Sequence, residues 1–351
     1  MTEKLYHVFT ADRHHLVPNM VKTIDLHLPT FLHIYLLVGN KDENKIVYDF
    51  KTSGKIVLLN SLDEIDVKKL KSEKTILHGV PYTWMFFFIK NDLKSLYWIC
   101  WGAGAKLSWR NFKSVLFHPF KILLYNKFKR IAALMYQDKV SLEKQFLLKN
   151  VNVISYFDPS LDSFPFSLKD ISIKNIETSQ NTIYIGNNSS SLYSYNDVLE
   201  KLKYFENVRH IECMANYNFQ ESSLSKSLRS NGKKLFDEKF KLNTTFYSLE
   251  EYYNYMKQCD IYICAVKKQT GLAAIYTTLR MGKKLFLAGH NYEWILSLNC
   301  KIYHLRELER MSEEELFTPL SLEEKIKNYN IISKLLNSKV ICDKWIEFLT
   351  K

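Results

Sequence analysis

The chain has 351 residues, 46% of them hydrophobic and 25% charged, with a formal charge of +12 and a pI of about 9.1. Those figures exclude a disordered chain and allow about two domains of ordinary size. No run of about 20 apolar residues occurs, which argues against a membrane-spanning helix.

Predicted elements alternate from the start. LYHVF (5–9), HIYLLV (33–38), KIVLLN (55–60), TILHG (75–79), SLYWICW (95–101) and VNVISY (151–156) read as strands. VPNMVKTIDLHL, LDEIDVKKLK and PYTWMFFFIK between them read as helices. Residues 157–182 carry Pro159, Pro165 and many Ser, Asp and Asn, the composition of a linker. A second series follows, with strands at 182–187, 208–213, 261–266 and 284–288 and a helix across Ser194–Phe205. Ser248 with Glu251, and Ser321 with Glu324, have capping-box spacing and open two more helices, the second running to about Asn337. The tail VICDKWIEFLTK reads as a last helix. Strands separated by helical patterns predict an α/β protein of two mostly parallel sheets. The expected boundaries are 1–160, a linker at 161–182, 183–337, and a helix at 338–351 packing back on the first domain. Ligands of such sheets bind at the carboxyl ends of the strands, and a cleft between two such domains is the default site.

Several loops on that edge hold candidate chemistry. After the strand at 261–266 comes KKQTG, with Gln269, Thr270 and Gly271 opening a helix. Free backbone N–H groups and the helix dipole at such a start favour an anion. An ordinary helix start with a small residue for packing is the competing reading. The loop is neither a P-loop nor a dinucleotide fingerprint, whose glycine spacings are absent. Gly186, Asn187 and Asn188 end another strand and offer a second phosphate contact, or simply cap the next helix. Asp12, His14 and His15 follow the first strand and are candidates for a general base. His78 and Gly79, then Trp101 and Gly102, end further strands on the same edge.

Residues 106–130 contain Arg110, Lys113, Lys121, Lys127, Lys129 and Arg130 among aromatic and aliphatic residues, with no acid. That mix fits a helix on an anionic bilayer; a core helix with a solvated basic face is the alternative. The six cysteines form no C-x-x-C, and D-x-D, H-E-x-x-H and G-x-S-x-G are all absent. No metal and no cofactor are expected, and the cysteines read as reduced, buried thiols. A non-enzymatic lipid- or nucleic-acid-binding protein would also explain the charge, but the aromatics fall mostly on predicted core positions.

With these residues assembled, the chain resembles the bacterial 4-acetamido-4,6-dideoxygalactosyltransferase family of enterobacterial common antigen synthesis, also called the 4-alpha-L-fucosyltransferase family. The likeness runs through Asp12 and His14–His15, HG at 78–79, W-x-x-W-G-A at 98–103, and a basic stretch with Pro119. It continues with I-G-N at 185–187, QCD at 258–260, Q-x-G at 269–271 with Gly282, and N-x-x-W at 291–294. The resemblance implies a GT-B fold of two Rossmann-like domains. It implies metal-independent transfer from a dTDP-sugar on the second domain to an undecaprenyl-diphosphate-linked acceptor, at the cytoplasmic face of the inner membrane. The implied partners are a nucleotide-diphosphate sugar, a lipid-linked glycan and an anionic membrane surface, without nucleic acid. A GT-B transferase of capsule or lipooligosaccharide synthesis is the nearest alternative. One departure is Gly104, where the family pattern has Asp; if that Asp contacts the sugar, donor or acceptor differs here.

Overall fold

A computed structural model describes residues 3–10, 17–39, 52–91, 95–101, 116–156, 167–168, 171, 180–186, 194–215, 223–245, 247–268 and 270–350. The chain divides into two compact units, Met1–Ser163 with Leu336–Lys351, and Phe164–Leu335.

The first unit is built on a seven-stranded sheet of β1 (Lys4–Thr10), β2 (Leu32–Val38), β3 (Lys55–Leu59), β4 (Lys74–His78), β5 (Leu96–Cys100), β6 (Arg130–Ala133) and β7 (Asn152–Val153). The order is β3-β2-β1-β4-β5-β6-β7, and every pairing is parallel. Strands covered on both faces read as unbroken apolar runs, and LYWIC of β5 is buried at all five positions. The helices are α1 (Val17–His27), α2 (Val67–Leu70), α3 (Tyr82–Lys90), α4 (His118–Tyr125) and α5 (Tyr136–Phe146). Trp98 of β5 packs on Tyr125 of α4 at 4.5 Å between ring centroids, and Tyr125 on Phe146 of α5 at 4.9 Å.

The second unit carries β8 (Thr182–Ile185), β9 (His210–Met214), β10 (Phe240–Asn243), β11 (Ile261–Cys264), β12 (Lys284–Leu287) and β13 (Tyr303–His304), in the order β10-β9-β8-β11-β12-β13, again all parallel. Its helices are α6 (Tyr195–Leu202), α7 (Ser223–Phe236), α8 (Leu249–Lys257), α9 (Leu272–Arg280), α10 (Gly289–Ser297), α11 (Glu313–Phe317) and α12 (Leu322–Leu335). The Ser248–Glu251 box is formed in both directions, and the Ser321–Glu324 pair likewise. The last helix, α13 (Ser338–Thr350), belongs to the first unit. There the Tyr97 hydroxyl donates to Leu349 O, the Trp345 indole to Ser155 O, and the Arg130 guanidinium to Glu347 O.

Some expected elements differ. The stretch 62–71 is not one helix: a 3-10 turn at Leu62–Glu64 ends at the extended Ile65, and α2 starts afresh after Asp66. In 151–156 only Asn152–Val153 pairs as strand. The basic stretch is not a single helix either. Its described part is α4 and a turn at Asn126–Lys129, where the Asn126 amide donates to Ile122 O, and then Arg130 begins β6. Most of 161–182 lies outside the described residues. Short β6, β10 and β13, and the weakly periodic helices α5 and α10, carry little local signal, whereas the 14-residue amphipathic α7 is an element the sequence reading missed.

Candidate active site

In both sheets the order turns back between the first and fourth strands, β1 and β4 in one unit and β8 and β11 in the other. Loops leaving the carboxyl ends of such a strand pair diverge to opposite faces and leave a crevice.

In the second unit the chain leaving β11 runs through Lys267 and Lys268 to Thr270 and Gly271. Gly271 takes a left-handed conformation, φ +71°, as the N-cap of α9. The loop is fixed from the side by α10. The amide of Asn291, a fully buried residue, donates to Thr270 O at 2.8 Å, and His290 N–H donates to Lys267 O at 3.2 Å. Gly289 makes that approach possible: at φ +56°, a Cβ there would lie 2.3 Å from Lys267 O. Two helix starts, α9 and α10, are thereby stitched to one loop.

Beside this junction lies a cavity of about 1010 Å³, walled by α6, the start of α10 and the segment after β13. Lys267, His290, Tyr292, Glu293, His304 and Arg306 line it. Tyr292 and His304 meet edge to face at 4.7 Å. The His290 ring lies 3.4 Å from Glu293, while Lys201, also lining the cavity, pairs with Glu309. The wall therefore combines two exposed cations, a helix start, an aromatic pair and carboxylates. Phosphates, an aromatic base and sugar hydroxyls are what such groups bind.

Gly186 ends β8 at φ +74°, but the space that a Cβ would take is filled by Tyr195, 2.1 Å away. The Tyr195 hydroxyl donates to Met214 O, and the Tyr262 hydroxyl to Gly186 O. This glycine thus admits the protein's own tyrosine. Asn187, Asn188 and Gln269 lie outside the described residues.

In the first unit His78, Gly79 and Trp101 come together. Gly79 has φ +59°, and a Cβ there would sit 2.2 Å from the Trp101 ring. His78 stacks on Phe9 at 4.1 Å. Around them stand residues that the sequence reading passed over. Tyr156 bonds His78 Nδ1 and accepts from the Trp101 indole at 3.3 Å, and His7 bonds His78 Nε2 at 3.0 Å. Burial holds the imidazoles of His7 and His78 well below their usual range and pushes the Tyr156 phenol up. The signal was present: His7 interrupts the apolar run LYHVF, His33 opens HIYLLV and His78 closes the strand at 75–78. Asp12, His14, His15 and Gly102 lie outside the described residues, as do Arg110 and Lys113.

Of the remaining basic residues, Lys121 stands on α4 over the Tyr82 ring, Lys127 lies in the turn, and Lys129 sits over the Tyr97 ring. Leu116, Phe117, Phe120 and Leu123 beside them are exposed. Among the described residues no group of three or more His, Cys, Asp or Glu could hold a metal, and no helix is long and apolar enough to cross a membrane.

The model of one protein family, described as 4-alpha-L-fucosyltransferase glycosyl transferase group 56, matches residues 29–317. No curated protein matches the chain. Among solved structures, a glycosyltransferase from Rickettsia africae superposes with a TM-score of 0.71 at 13% identity, covering 99% of this chain and 98% of its own. Anabaena HepE in complex with UDP gives 0.72 at 12% identity, with 99% of both chains covered. Sucrose-phosphate synthase from Thermosynechococcus elongatus gives 0.67 at 7% identity, with 98% of both covered. The fold shared with these neighbours is GT-B, two units each built on a parallel sheet.

Proposed function

Because the chain belongs to the 4-alpha-L-fucosyltransferase family, glycosyl transferase group 56, and is a glycosyltransferase, we propose that it moves a deoxy-amino sugar from dTDP to an undecaprenyl-diphosphate-linked glycan, without a metal. The observation that carries the donor half is the cavity at the carboxyl edge of the second sheet, with Lys267, Arg306 and the start of α10 on its wall. A diphosphate leaving group gathers negative charge as the glycosidic bond breaks, and fixed cations with helix N–H groups stabilise it without a metal. Tyr292 and His304 offer a flat contact for the base, and Glu293 an acceptor for ribose hydroxyls. Thr270 and Gly271 complete the donor side through the shape of their loop, tied to the start of α10 by Asn291. HepE, of the same fold, binds UDP and UDP-glucose, which makes UDP the second donor to test.

Calorimetric titration of dTDP, UDP, GDP and CMP into metal-free protein tests the assignment. One pyrimidine diphosphate should bind selectively, and Lys267→Ala with Arg306→Ala should weaken it about tenfold or more. Unchanged affinity in the double variant sinks the placement of the diphosphate.

The acceptor belongs to the first unit on this reading, with Asp12, His14 or His15 activating its hydroxyl and His78, Gly79 and Trp101 shaping its pocket. A peripheral position on the cytoplasmic leaflet is supported by exposed Phe117, Phe120 and Leu123 beside Lys121 and Lys127. Vesicles rich in phosphatidylglycerol should pellet the protein, and Phe120→Glu with Leu123→Glu should release it; equal pelleting of the variant rejects this face.

A further inference from the structure

Three buried histidines cross the first sheet on adjacent strands, His33 on β2, His7 on β1 and His78 on β4. They step toward the carboxyl edge. His33 is level with Leu5, His7 with Ile76, and His78 lies one residue past the Val8–Leu77 pair. Each step advances two residues and so keeps the same face. The rings are linked: His33 Nδ1 to His7 Nε2 at 3.0 Å, His7 Nδ1 to His78 Nε2 at 3.0 Å, and His78 Nδ1 to the Tyr156 hydroxyl.

Both ends of the chain have one possible polarity. Leu28 O, 2.8 Å from His33 Nε2, can only accept, so that nitrogen carries a proton. In a neutral His33 the Nδ1 must then accept from His7 Nε2–H. His7 Nδ1 must accept from His78 Nε2–H, and His78 Nδ1 from the Tyr156 O–H. At the far end the Trp101 indole can only donate, and it donates to the Tyr156 oxygen. The reverse direction needs a proton on both nitrogens of His33. Burial disfavours the charged form of all three rings.

We propose that His33, His7 and His78 are positioning residues that commit the only proton of Tyr156 inward, leaving its remaining lone pair to accept a hydrogen bond from a sugar hydroxyl at the edge of the first sheet. The sugar is the acceptor glycan, so the assignment rests on the glycosyltransferase reading. Tyr156 is half-buried and follows β7, and its ring stands edge-on to Trp101 with centroids 6.0 Å apart. An oxygen with its donor already spent selects a ligand that brings a hydroxyl proton, and discriminates against a deoxy or ether analogue at that position.

The test uses the full chain labelled with nitrogen-15 in histidine and carbon-13 at the tyrosine Cζ. At about pH 7, long-range proton–nitrogen correlation should show all three rings neutral and protonated at Nε2. An Nδ1–H tautomer or an imidazolium among them overturns the relay. Glucose, N-acetylglucosamine and N-acetylmannosamine are then titrated in turn as acceptor probes. At least one should shift the Tyr156 Cζ and His78 Nδ1 signals together, and Tyr156→Phe should weaken it about tenfold, as for one lost hydrogen bond. Trp101→Phe, which frees the Tyr156 oxygen to turn, should weaken it as well. Equal binding by Tyr156→Phe, or no response to any sugar, overturns the hydroxyl assignment. dTDP and UDP binding to the same samples reports the donor side separately. If the nucleotides bind and the sugars ignore Tyr156, this assignment alone fails; if neither binds, the proposed donor and acceptor assignment fails with it.

Discussion

At the scale of single residues, the buried histidines set a pH dependence. The folded state holds His7 and His78 well below the usual imidazole range, and His33 below it too, with burial the main cause. The Leu28 carbonyl and the Asp25 carboxylate act in the opposite sense on His33. Asp25 itself accepts from Tyr35 and Thr52. Above about pH 6.5 folded and unfolded rings are both neutral, and stability does not depend on them. As the pH falls below that value the unfolded chain takes up protons that the folded one refuses. Stability should then drop by up to about 1.4 kcal/mol per pH unit for each ring. Urea midpoints at descending pH measure it, and His7→Phe should flatten the slope. An unchanged slope in that variant would show that His7 takes up its proton in the fold as readily as in the unfolded chain.

At the scale of elements, the donor site depends on how closely α10 approaches the loop after β11. Only a residue without a Cβ fits at Gly289, since the atoms it would strike are main-chain atoms of Lys267. Gly289→Ala should therefore push α10 from the loop, strain the Asn291–Thr270 bond, and destabilise by about 1–3 kcal/mol. Nucleotide affinity should fall with it, although no side chain that lines the cavity has been removed. Retained affinity would mean that α10 does not set the phosphate position. The basic stretch shows the opposite lesson. Arg130, in the basic stretch expected at a membrane, opens β6 and donates to Glu347 O of α13.

At the scale of the whole molecule, the last helix returns to the first unit and closes it. Trp345 is buried against Tyr156 and Phe348, and its indole donates to Ser155 O. Trp345→Ala should cost about 3–5 kcal/mol, the usual range for emptying an aromatic site in a core. The loss should fall on the first unit alone. Stepwise thermal unfolding with and without nucleotide would show it: the nucleotide-stabilised transition should stay in place while the other moves down. A shift of both transitions together would contradict that division.

The sequence by itself determined the strand runs, the two parallel sheets and several helix starts. Each of these rests on local signals, namely apolar periodicity, Ser–Glu capping boxes, and glycine where the chain must turn. It also drew His78, Gly79 and Trp101 together, because residues that end neighbouring parallel strands share one edge. Only the tertiary structure decided what those residues meet. Gly186 looked open to a ligand, and Tyr195, nine residues on, fills the space. His7, His33 and His78 lie far apart in the chain and become one relay only when β2, β1 and β4 take adjacent places. Arg306 and Tyr292 join Lys267 at one cavity only because β13 and α10 reach the same edge as β11. Strand order and register are products of long-range packing. They set which side chains meet, and no window of local sequence contains them.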